Sequence, residues 1–177
     1  MKTYRSPRDV LAEINALISK NKPSSHGPSL LVQVARLLHD TRNYYRVGIY
    51  LVVNDRVVRQ AVCGPELPQA ATATTRAEAV SAIKTGTQTL GYVRAEGEHT
   101  GGAGLPPEDR VLIKEVAVLL SLYLHGKGRY LMRKAREVVR EAASAVVEDR
   151  ARPVAPSRNE APKRASLGAA AGEKVSA

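Results

Sequence analysis

The 177-residue chain contains a single cysteine, no phenylalanine and no tryptophan. One thiol excludes an internal disulfide and any cysteine-rich metal site, and it suits a reducing compartment. Because all seven aromatic residues are tyrosines, the core has to be built from leucine, valine, isoleucine and alanine. Long hydrophobic runs are also missing. The stretch VAVLLSLYL at 116–124 is far too short to cross a bilayer, and the N-terminus MKTYRSPRDV has no apolar signal core. A cytoplasmic protein without membrane contact is expected. The four histidines, His26, His39, His99 and His125, fall in separate segments without metal-ligand spacing, so neither metal nor cofactor is expected.

Basic residues, in contrast, are plentiful, and the net charge is +10. Between Arg129 and Arg164 there are ten Lys/Arg against five Asp/Glu, so half of the excess lies in the last third of the chain. The remainder is scattered, with no basic run interleaved with aromatics. Nucleic-acid binding through this basic helix and tail is therefore a minority reading, since such charge more commonly solvates a surface.

Hydrophobic periodicity supplies the element order. Ser6-Pro7-Arg8-Asp9 reads as a capped helix start, followed by Val10, Leu11, Ile14, Leu17 and Ile18 at helical spacing up to Asn21-Lys22-Pro23. After the linker KPSSHGPS, Leu30, Leu31, Val34, Leu37 and Leu38 predict a second amphipathic helix at about 29–40. Two strands, 47–53 and 57–63, form a hairpin turning at Asn54-Asp55-Arg56. A second pair, 77–84 and 87–95, turns at Thr85-Gly86. The segment 97–106 reads as a flexible stretch, and its Gly101-Gly102-Ala103-Gly104 reads better as a loop than as a phosphate site. A helix starting at Pro107-Glu108-Asp109 carries Leu112, Val116, Leu119, Leu120 and Tyr123 on one stripe. Beyond the glycines at 126 and 128, Leu131, Ala135, Val138, Ala142 and Ala145 alternate spacings of four and three, the pattern of a heptad seam. From Arg152 onward the chain reads as disordered.

The expected fold is α+β: an antiparallel sheet with flanking helices, a long C-terminal helix and a disordered tail. The expected parts are an N-terminal helix and linker at 1–28, a sheet domain at 29–126, a basic helical extension at 127–150 and a tail at 151–177.

Three stretches carry a family resemblance. HDTRNYYRVGIYLVVND (39–55) resembles the first strand region of GAF domains and, more narrowly, of the free methionine-(R)-sulfoxide reductase branch. TTRAEAVSAIKTGTQTLGYVRAEGE (74–98) is similar to that branch's Thr-Arg-Ser-Glu strand, glycine turn and acid-bearing strand. LPPEDRVLIKEVAVLLSLYL (105–124) is similar to its closing helix. The resemblance spans about 29–125 in family order. It implies a cysteine-based reductase site in active members, and this sequence departs from that site. A long central segment is reduced to about a dozen residues, Pro65 to Thr75. The position of the catalytic cysteine falls near Ala71. Of the acidic substrate contacts, Glu78 matches the first, Arg94 replaces the second and Glu96 takes the third.

The expectation is therefore a non-catalytic GAF-like regulatory or signalling module with no catalytic residue, working through a homodimer or a protein partner. Its association residues would be Leu11, Ile14, Leu131, Ala135, Val138 and Ala142. A residual cleft, with or without a small-molecule ligand, would gather Tyr45, Cys63, Glu78, Arg94 and Glu96. Cys63 reads as a small buried strand residue, Glu78 as a solvent-facing carboxylate, and Arg94 with Glu96 as a same-face pair. The enzymatic alternative is a diverged reductase in which Cys63 has taken over catalysis.

Overall fold

A computed structural model describes residues 4–21, 28–65, 76–100 and 104–151. Helix α1 spans Pro7–Lys20 and α2 Leu30–Arg42. Both start where a short hydroxyl side chain can take up an orphan N–H: Ser6 Oγ accepts from Asp9 N at 3.2 Å and Ser29 Oγ from Val32 N at 3.4 Å. Helix α2 stops at Asn43, whose φ of 51° is left-handed.

Strands β1 (Arg46–Val53) and β2 (Arg56–Cys63) are joined by Asn54 and Asp55, with φ of 49° and 59°. Positive φ at both central residues matches the right-handed strand twist, so this two-residue turn sets the register Val53 to Arg56. Strands β3 (Arg76–Thr85) and β4 (Gln88–Thr100) form the second hairpin, and the sheet order is β2-β1-β4-β3, antiparallel throughout. Strand β4 runs well past the expected end at 95, because its residues up to Thr100 still find ladder partners on β3. The first part of the stretch expected to be flexible, 97–100, is thus strand, while residues 101–103 lie outside the described residues, as do 1–3, 22–27, 66–75 and 152–177.

Val47, Ile49 and Leu51 alternate onto one face of β1 and are fully buried. Helix α2 packs against β1 and β2, and α3 (Pro107–His125) against β3 and β4. The α3 stripe Leu112, Val116, Leu120 and Tyr123 is buried as its spacing requires. Helix α1 lies on α2 and α3 and adds Val10 and Ile14 to the same core. The helix set apart as an N-terminal extension is therefore integral to the packing.

The glycines after α3 reverse the chain. Gly126 N–H bonds to the carbonyls of Leu122 and Tyr123, and Gly128 N–H to that of Tyr123 at 2.8 Å. A Cβ at Gly128 would stand 2.6 Å from the Tyr123 ring, so only glycine allows so close an approach. Helix α4 (Arg129–Ala151) then reaches back to β1 and β2. Among the described side chains its buried residues are Leu131, Ala135 and Val139, four apart, which is a globular stripe rather than the expected seam. Val138 is half exposed and Ala142 exposed. No helix among the described residues is long and apolar enough to cross a membrane.

Candidate functional site

The candidate site is built on β3 and β4. Arg94 and Glu96, two apart on β4, project to the same side, and the register places Glu78 of β3 directly opposite Glu96. Two carboxylates facing each other across a ladder repel. Arg94 relieves that repulsion, with Nη2 at 2.6 Å from Glu78 Oε2 and Nε at 3.2 Å from Glu96 Oε1. The Glu96 side chain is 7% exposed, whereas Arg94 and Glu78 are nearly half exposed. The same-face pairing of Arg94 with Glu96 is as the sequence suggested. The link to Glu78 is additional, because cross-strand register is not written in either strand alone.

Val80 lies across from Arg94 and is 53% exposed. On β1, Arg46 stands opposite Glu96, and its buried Nε has no hydrogen-bond partner among the described residues. The Tyr50 ring lies over Gly48, close enough that a Cβ there would meet ring atoms at 2.6–2.8 Å. Tyr45 donates its backbone N–H to the Glu96 carbonyl at 2.8 Å, and the Arg76 guanidinium sits 3.5 Å from its ring centroid. Glu78, Arg94 and Glu96 thus come together, and Tyr45 adjoins them through its backbone.

Cys63 does not join them. Its ladder partner is Val47, and the neighbouring pair is Ile49 with Ala61, so Cys63 belongs to the buried, α2-covered face of the sheet. This corrects the expectation of a single cleft holding all five residues. On that face Cys63 packs partly buried against the core, as a small strand residue should. Its polar neighbours there are His39 and Asp40 of α2. They are more than twenty residues away on another element, and only the tertiary packing brings them close.

Among the association residues, Ile14, Leu131 and Ala135 are buried in this chain's own core, and Leu11 is half-buried. A free apolar stripe lies elsewhere, on α3: Val111, Val118 and Leu122 are 59%, 50% and 69% exposed. Beside it, a groove of about 590 Å³ between α3 and edge strand β3 is lined by Ser81, Lys84, Lys114, Val118, Ser121 and Leu122 among others. Residue Ala71, where the resemblance puts the catalytic position, lies outside the described residues.

Several solved structures share this arrangement of sheet and helices. The free methionine-R-sulfoxide reductase from Neisseria meningitidis, solved in complex with its substrate, superposes with a TM-score of 0.58 at 18% identity, covering 73% of this chain and 99% of that one. The fold is that of a GAF domain. The corresponding reductase of Staphylococcus aureus, also with substrate, gives a TM-score of 0.56 at 13% identity over 70% of this chain and 99% of the other. The GAF domain of a phosphoenolpyruvate-protein phosphotransferase from Coxiella burnetii gives 0.54 at 10% identity, over 71% and 97%. No protein-family model matches the sequence, and neither does any curated protein. The GAF-fold neighbours thus include both enzymes and GAF domains of larger proteins, and at these identities the likeness is one of fold.

Proposed function

We propose that this chain is a non-catalytic GAF-like regulatory module that acts by self-association or by binding a protein partner. The observation that carries this reading is the position of Arg94, bonded to both Glu78 and Glu96. The guanidinium occupies the place where two free carboxylates would otherwise hold the ammonium group of an amino-acid ligand. Cys63 supports the same reading, because it lies on the opposite face of the sheet from these carboxylates. The association surface we assign is the α3 stripe of Val111, Val118 and Leu122 beside edge strand β3, with a second copy as its partner.

Two measurements test it. Free methionine-(R)-sulfoxide and a dithiol reductant are incubated with the full chain and with Cys63→Ser, and methionine release is quantified. Both proteins should give only background, and turnover abolished by Cys63→Ser would establish the reductase reading instead. Light scattering after size exclusion should find a dimer that Leu122→Glu converts to a monomer. Deleting everything after Lys127 is a poorer test, since it also strips Leu131, Ala135 and Val139 from the core.

A further inference from the structure

We propose that His39, Asp40 and Cys63 form a binding site for one divalent ion of borderline softness, with zinc as its natural occupant. The inference is independent of the regulatory reading, and the site lies on the other face of the sheet from Glu78, Arg94 and Glu96. One donor atom from each of the three side chains lies within 4.8 Å of the other two. In a tetrahedral zinc site, with bonds of about 2.0–2.3 Å, neighbouring donors stand about 3.3–3.8 Å apart. Small side-chain rotations therefore suffice to close the set around an ion.

The backbone holds the donors in place. His39 and Asp40 occupy the last turn of α2, and Cys63 ends β2, against which α2 packs. Adjacent residues on a helix ordinarily point apart. Here His39 Nδ1 and Asp40 Oδ1 are hydrogen-bonded to each other at 2.8 Å, and a donor atom of each also lies within 4.8 Å of Cys63 Sγ.

The donor set selects the metal. One thiolate, one imidazole and one carboxylate exclude the hard ions magnesium and calcium, which take oxygen ligands, and match zinc. On binding, the thiol gives its proton to solvent as the sulfur–metal bond forms, and the thiolate and carboxylate together balance the dication. Three protein ligands leave a fourth position for water. The His39 side chain is 16% exposed and Asp40 56%, so the ion can enter from solvent through the Asp40 side.

The test uses the full chain stripped of metal and titrated with cobalt(II), which takes zinc's geometry and reports its ligands by absorption. The expected result is a near-ultraviolet sulfur-to-cobalt charge-transfer band that saturates at one ion per chain and is displaced by zinc. Cys63→Ser should abolish the band, and His39→Gln and Asp40→Asn should each weaken cobalt binding at least about tenfold. Unchanged unfolding midpoints of the metal-free variants would show that the fold is intact. Absence of the band in the wild type overturns the proposal. So does a band in His39→Gln and Asp40→Asn that saturates at the wild-type cobalt concentration.

Discussion

The Arg42 guanidinium meets the Asp109 carboxylate at 2.5 Å, with none of the arginine side chain exposed and only 6% of the aspartate. The pair joins the C-terminus of α2 to the N-terminus of α3. Arg42 also donates to the Arg5 carbonyl at 2.7 Å and to Glu108 at 2.9 Å, and Tyr44 Oη donates to Asp109 at 2.9 Å. Asp109→Ala would leave the buried guanidinium with only the solvent-exposed Glu108 as counter-charge and should destabilise the chain by about 3 kcal/mol, the lower end for a broken buried pair. Replacing both partners by apolar residues, Arg42→Met with Asp109→Leu, should recover most of that loss. Urea unfolding of the wild type and the two variants measures both effects, and a double variant no better than Asp109→Ala would show that the pair itself stabilises the fold.

The same cluster makes stability depend on alkaline pH through Tyr44. Burial, with the nearby Asp109 charge and the hydrogen bond to it, pushes the Tyr44 hydroxyl far above its ordinary value of 10.0. Below pH 10 the phenol is protonated in both folded and unfolded chains and contributes no slope. Above it the unfolded chain loses the proton and the folded chain keeps it, so stability falls as pH rises, at about 1.4 kcal/mol per pH unit for this group. Tyr44→Phe should flatten that part of the profile while lowering stability at neutral pH through the lost hydrogen bond. Unfolding midpoints between pH 8 and 11.5 would show it, and an unchanged alkaline slope in the variant would refute it.

Helix α4 makes a separable prediction. Leu131 is buried and Val138 half exposed, although both fit the heptad spacing. Leu131→Ala should cost about 2–5 kcal/mol. Val138→Ala, at a position that faces water, should stay within about 0.5 kcal/mol. The reverse order, in denaturant melts at low protein concentration, would mean that α4 uses its seam instead of packing on β1 and β2.

These contrasts show what the sequence could carry. Local signals were legible: the Ser6 cap, the Asn54-Asp55 turn and the α3 stripe each follow from backbone preference or period within a few residues. Strand pairing beyond the turn was not, because neither strand alone carries the extension of β4 to Thr100 or the Glu78–Arg94 pair. The α4 pattern was ambiguous because alanine and valine at 135, 138, 139 and 142 satisfy two periods, and only the glycine reversal decides between them. The convergence of His39 and Asp40 on Cys63, and of Arg42 on Asp109, joins residues of different elements, so no spacing rule could reveal it.

Arg94 can be tested without any ligand. With Glu78 and Glu96 opposed across β3 and β4, the guanidinium should contribute mainly by cancelling their repulsion. Arg94→Met keeps the aliphatic stem but leaves two facing carboxylates, and should lose about 1 kcal/mol, the upper range for cross-strand charge pairs. Adding Glu78→Gln removes one of the charges and should restore most of that loss. The difference between the two variants should shrink in high salt, because Glu78 is nearly half exposed and its repulsion is screened. If instead Arg94→Met with Glu78→Gln remains as unstable as Arg94→Met alone, the arginine acts through its packing and not through charge, and the reading of it as a built-in occupant of the acidic pair fails.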